Sequence, residues 1–113
     1  MNGGPNWPLV GKWRILSTEM WDREALDSCG PAYFLFGERE GEARLIVMEL
    51  SLDCGFSNTM VHFDFHGSDE GMEISGDGFA ELREDGLIEG EISLRDGDES
   101  MYVARRWRAE DER

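Results

Sequence analysis

Cysteine, proline and basic residues are all scarce in this chain, and each shortage excludes something. Of its 113 residues only Cys29 and Cys54 are cysteines. They read as reduced residues in or near a core, and no second pair exists to complete a four-thiolate zinc site. No apolar run approaches the ~20 residues that a membrane helix needs. The opening Met1-Asn2-Gly3-Gly4-Pro5 has neither a basic nor an apolar stretch, so no secretion leader is expected and the location expected is cytoplasmic. Eleven Lys and Arg stand against 25 Asp and Glu, a formal net charge of −14. Such a surface repels phosphate backbones and anionic lipid, which argues against nucleic-acid and membrane partners.

Catalytic signatures are missing too. There is no Gly-x-Ser-x-Gly elbow and no phosphate-binding loop. Asp96-Gly97-Asp98-Glu99 is too short for a calcium loop, which spaces its ligands over about twelve residues. Carboxylate pairs such as Glu84-Asp85 fall on turns, away from any cleft that would shift a pKa. Cys29 falls at the C-terminal end of a short helix, where the dipole raises a thiol pKa. Neither an enzyme nor a cofactor is expected.

What remains is rich in glycine and aromatics. Fourteen Gly, six Phe, four Trp and two Tyr against three Pro favour β structure. The length suits one domain with a real core: 1–113, with residues 1–8 an irregular arm whose Trp7 is placed to plug a hydrophobic end, and 108–113 a charged tail. Residues 11–17 read as the first strand, with Trp13 and Ile15 on one face. From Met20 to Cys29 the period becomes helical, with Trp21, Ala25 and Cys29 four residues apart and Gly30-Pro31 as a stop. That is the only helix expected, of two to three turns.

Beyond it the pattern is strand and turn: 33–36, 43–52, 60–66, 72–82, 88–94 and 101–107. The stretch 53–59 reads as a loop, and Asp85-Gly86 as a hairpin signal. Alternation is cleanest at 60–66, where Val61, Phe63 and Phe65 turn to the core and His62, Asp64 and His66 to water. If Phe65 pairs with Ile74, Phe63 meets Gly76 and Val61 meets Gly78. On the other side, Gly78 faces Ile92 and Ala80 faces Gly90. Large residues opposite small ones, with Gly where strands must bend, predict an all-β antiparallel up-and-down meander of 7–8 strands that closes into a small barrel.

Gly11-Lys12-Trp13 at the start of the first strand resembles the Gly-x-Trp opening of the lipocalin-like (calycin) barrels. The resemblance implies a Trp at the closed end beneath an Arg from the last strand. Arg105 and Arg106 both offer themselves: alternation with Tyr102 and Ala104 selects Arg106, alternation with Met101 and Val103 selects Arg105, and the balance falls on Arg106. Residues 11–107 also resemble a group of short bacterial proteins of unassigned function. The carriers are Met20-Trp21-Asp22, Gly30-Pro31-Ala32, Leu52-Asp53-Cys54, Gly76-x-Gly78-x-Ala80-Glu81-Leu82 and Gly97-Asp98-x-Ser100. That likeness implies a barrel and no activity.

Three clusters could carry a function. Trp13, Phe63, Phe65, Tyr102 and Arg106 would line a pocket for a small apolar or carboxylate ligand inside the barrel. The competing reading is a barrel filled by its own side chains that acts as a homodimeric or other interaction module. Strands 33–36 and 43–52 are apolar on both faces, which gives Tyr33, Leu35, Leu45 and Val47 to an outer interface. His62, Asp64 and His66 leave one strand face in the manner of a metal site, with Glu73 and Asp77 as added oxygen ligands, although alternating polar residues on an outer face need no ion. Between Asp64 and Glu99 stand 13 acidic residues against only Arg83 and Arg95. That run reads as a solvated surface, or as a docking face for a basic protein.

Overall fold

The strict alternation after Met60 becomes a long strand in the computed structural model, which describes residues 8–57, 59–95 and 97–112. Trp7, at the end of the expected arm, lies outside the described residues. The elements are β1 (Gly11–Thr18), α1 (Arg23–Leu26), β2 (Tyr33–Phe36), β3 (Glu40–Leu45), β4 (Met48–Phe56), β5 (Met60–Asp69), β6 (Met72–Leu82), β7 (Ile88–Leu94) and β8 (Glu99–Arg106). Each strand pairs antiparallel with the next, and β8 returns to β1, so the meander is a closed barrel. Closure leaves no strand edge open.

The expected inside and outside hold. Val61, Phe63 and Phe65 are buried, while His62, Asp64 and His66 are exposed. Phe65 faces Gly76 and Phe63 faces Gly78. Across β6, Gly78 meets Ile92 and Ala80 meets Gly90, as the pattern of large against small residues required.

Four local expectations are corrected. The first is register: β5 pairs with β6 two residues away from the expected Phe65–Ile74 pairing. β5 runs on to Asp69, and its hairpin turns on Glu70 (φ 53) and Gly71 (φ 89) alone. A slip of two keeps every side chain on its own face.

The second is the segment 43–52, which is two strands. Leu45 pairs with Met48 across a two-residue turn at Ile46-Val47, and Ile46 sits at φ 60. A β-branched residue avoids this conformation, at a cost of roughly 1–2 kcal/mol. It is held there by its amide, which donates to the Leu26 carbonyl at 2.8 Å, and by packing on the core. Leu45 is therefore 1% exposed and lies inside.

The third is the segment after Leu52. Asp53 to Phe56 continue β4 in ladder with Asp64 to Val61 instead of looping out.

The fourth is the helix, a single turn. The Asp22 carboxylate caps it by accepting from the Ala25 amide at 2.9 Å. It stops at Asp27, whose carboxylate is turned to Arg14 at 2.7 and 2.9 Å and to the Ala32 amide at 3.0 Å. Leu26, not the Trp21-Ala25-Cys29 stripe, is its fully buried residue.

The segment 108–112, read as part of a charged tail, folds back. A 3-10 turn at Ala109–Asp111 places the Asp111 carboxylate against Arg105, at 2.8 and 2.9 Å, and near Arg14 at 3.9 Å.

Candidate functional site

Inside the barrel, the candidate ligand residues are packed on the protein itself. Phe34 is the hub: its ring centroid is 5.4 Å from Phe36, 5.5 Å from Phe63 and 4.8 Å from Tyr102. Stacked and tilted contacts of this kind contribute about 0.5–1.5 kcal/mol each beyond the area they bury. Tyr102 donates its hydroxyl to the Phe79 carbonyl at 2.9 Å, and burial pushes its phenol pKa up. Phe65 lies against the backbone of Gly76, where a Cβ would come within 2.6 Å of the ring. Phe34 and Phe36, both 0% exposed, complete an interior that alternation on a four-residue strand could only suggest.

At one end, Trp13 and Arg106 come together. They are cross-strand partners, and the guanidinium carbon stands 4.2 Å from the indole centroid. The Arg106 guanidinium then donates to the carbonyls of Val10 and Pro8, and the Trp13 indole donates to the Leu9 carbonyl at 3.0 Å. Arg105 turns to Asp111 instead. Arg106 thus serves as a lid on Trp13, with its donors turned to the 8–10 segment and not to the interior.

The histidines do not gather the ligands proposed for them. His62 stands between Gly55 and Phe79, and His66 between Ser51 and Ser75; Asp77 faces Asp64, and Glu73 faces Ser68. Among the described residues, no three His, Cys, Asp or Glu side chains come together as metal ligands do.

The proposed outer interface divides. Tyr33, Leu35 and Val47 are half-buried on the outside or at the β3–β4 turn, whereas Leu45 faces in. Tyr33 is also engaged: its hydroxyl donates to Glu42 at 2.5 Å, and the Lys12 ammonium lies 4.4 Å from its ring centroid and 4.0 Å from that of Trp107.

The outer face of β4, β5 and β6 carries a feature that linear spacing hid. Asp53, Asp64 and Asp77, all exposed, stand directly opposite one another on three adjacent strands. They line a cleft of about 390 Å³ together with Gly55, His62 and Gly78. Further round, a hydrogen bond that the protonated Glu91 carboxyl donates to Glu99 raises the Glu91 pKa, with the charges of Glu99, Asp77 and Glu19 adding to it. Cys54 opens on the same cleft; burial, then the Asp53 charge, pushes its thiol up to about 11, which keeps it protonated and poorly nucleophilic.

Comparison with protein-family models, with curated proteins and with solved structures finds no match to this chain. Among the described residues, no helix is long and apolar enough to cross a membrane.

Proposed function

We propose that this chain is a non-enzymatic interaction module whose acidic outer face, centred on Asp53, Asp64 and Asp77, docks a basic protein. The aligned carboxylates carry the reading. Like charges directly opposite each other on neighbouring strands are destabilising, and solubility alone asks only for acids somewhere on the surface. Three in one cross-strand row, around a cleft that would admit a Lys or Arg side chain, concentrate a negative potential that steers and orients a cationic partner.

The interior-ligand reading has less support. The rings of Phe63 and Tyr102 are in contact with Phe34, and Arg106 is engaged by backbone carbonyls. A homodimer through the outer faces of β2 and β3 is weakened by the inward turn of Leu45. We read the barrel as calycin-like on Gly11, Trp13 and Arg106, and as kin to the short bacterial proteins of unassigned function. The unpaired thiols of Cys29 and Cys54 support a reducing, cytoplasmic setting.

The test is titration calorimetry of the full chain with a defined Lys- and Arg-rich peptide at low and at physiological salt. Saturable binding is expected, weakened by salt, and lowered at least about tenfold, or about 1.4 kcal/mol, when Asp53, Asp64 and Asp77 are all changed to Asn. Equal binding by that variant would remove the row from the account.

A further inference from the structure

Further along β4 on the same outer face as that acidic row, the surface holds an arginine left unpaired among the described residues. Among the described residues, four arginines are not exposed: Arg14, Arg44, Arg83 and Arg105. Arg14 pairs with Asp27, Arg83 with Asp85 and Arg105 with Asp111. Arg44 makes no ion pair and no hydrogen bond among the described residues, and its Nε is buried without a partner. In a chain with 25 acids, a half-buried guanidinium left this way is unusual, because an unmet charged donor costs free energy.

Its natural partner stands beside it. Glu49 is the direct cross-strand neighbour of Arg44, a placement that normally yields a pair. Instead Arg44 lies with its guanidinium carbon 5.5 Å from the Tyr33 ring centroid, and Glu49 stays apart. Glu42, the other nearby acid, is occupied by the Tyr33 hydroxyl at 2.5 Å. Between these groups is a cleft of about 410 Å³. Long side chains at Tyr33, Glu42, Arg44 and Glu49 flank it, and Ser51, Gly67 and Ser68 keep it open.

The geometry points to a binding site for a free α-amino acid, whose carboxylate is taken by Arg44 and whose ammonium is taken by Glu49. A ligand of a single sign fits less well. A simple anion would meet Glu42 and Glu49, and a simple cation would leave Arg44 unmet. A guanidinium offers the planar fork that a carboxylate accepts in two bonds. The Ser51 and Ser68 hydroxyls, which make no side-chain hydrogen bond among the described residues, supply further polar contacts. The volume falls within the roughly 300–1,000 Å³ usual for small-ligand clefts, leaving room for a side chain beyond the two charged groups.

Two-dimensional ¹H–¹⁵N NMR of the full chain decides the matter. Glycine, leucine and phenylalanine are each titrated to about 20 mM, a range that reveals millimolar sites, with their N-acetyl and methyl-ester derivatives as controls. At least one free amino acid should give saturating shifts at the amides of residues 42–44, 49–51 and 67–68. Both derivatives should bind at least about tenfold more weakly. Arg44→Gln and Glu49→Gln should each abolish the shifts and leave the rest of the spectrum in place. If Arg44→Gln disturbs the fold, Arg44→Lys and Glu49→Gln carry the test. No saturating shift with any free amino acid overturns the proposal, as do equal affinity for the derivatives and unchanged binding by Glu49→Gln.

Discussion

Arg106 stands over Trp13, its guanidinium carbon 4.2 Å from the indole centroid, and Gly11 is what lets it pass. A Cβ on Gly11 would stand 2.5 Å from Arg106 Nη1, and the residue itself sits at φ +129. This gives the Gly-x-Trp spacing a local physical reason. Gly11→Ala should destabilise the barrel by about 1–3 kcal/mol from backbone strain, with further loss from the displaced Arg106. Denaturant unfolding measures it; a variant as stable as the parent would show that the stack matters little.

Phe63 and Gly78 form a tight large-to-small pair inside. A Cβ on Gly78 would come within 2.7 Å of the Phe63 ring and 2.4 Å of the Glu91 carbonyl oxygen. Gly78→Ala should therefore cost about 1–3 kcal/mol or more. Trimming the ring in a Phe63→Leu background should relieve part of the penalty, because the backbone contact remains. A double-mutant cycle showing strict additivity would contradict the contact.

The C-terminal turn should act as an acid-sensitive latch. The hydrogen bond from Arg105 outweighs burial, and with the Arg108 amide and the Arg14 charge brings the Asp111 carboxyl down from 3.8 to about 2. At Asp27, burial raises the pKa, but the Arg14 and Ala32 hydrogen bonds more than offset it and the net direction is down. A depressed folded-state pKa means that stability is fully present above the unfolded value and is lost as pH falls through the folded one. The melting temperature should fall from about pH 4 towards pH 2, and Asp111→Asn should flatten that fall while lowering stability near neutrality. An unchanged pH profile in that variant would detach Asp111 from the latch.

Asp64 stands between two like-charged side chains, Asp53 and Asp77, an arrangement that opposes strand pairing. Asp64→Asn is expected to stabilise the fold by a few tenths of a kcal/mol, more at low salt, while weakening the docking of a cationic peptide. Thermal melts at two ionic strengths check the first half. A loss of stability would mean that the row is held by attractive contacts instead.

Much of the barrel is legible in the residues because β6 and β7 announce themselves. Ile74, Gly76, Gly78 and Ala80 against Ile88, Gly90, Ile92 and Leu94 fix both the faces and the register. The β3–β4 hairpin is hidden for an equally local reason: Leu45-Ile46-Val47-Met48 contains no Gly, Asn, Asp or Pro, and its turn is imposed from outside by the Leu26 carbonyl. The β5–β6 register slips in the reading because Gly67 and Ser68 look like turn residues yet sit in the strand. Neither outer-face site is visible along the chain. Asp53, Asp64 and Asp77 become a row only once three strands are in register, and Arg44 is conspicuous only once its failure to meet Glu49 is seen.

The claim on which the account rests is that the barrel is filled by its own aromatic side chains and works through its outside. Native mass spectrometry of the intact protein, isolated gently from the cells that make it, addresses this most directly. The bare chain mass is predicted, alone or with a basic protein bound. A stoichiometric small molecule that survives the Asp53, Asp64 and Asp77 substitutions and Arg44→Gln, but is lost when Phe63 or Tyr102 is changed, would place the ligand inside and contradict the account.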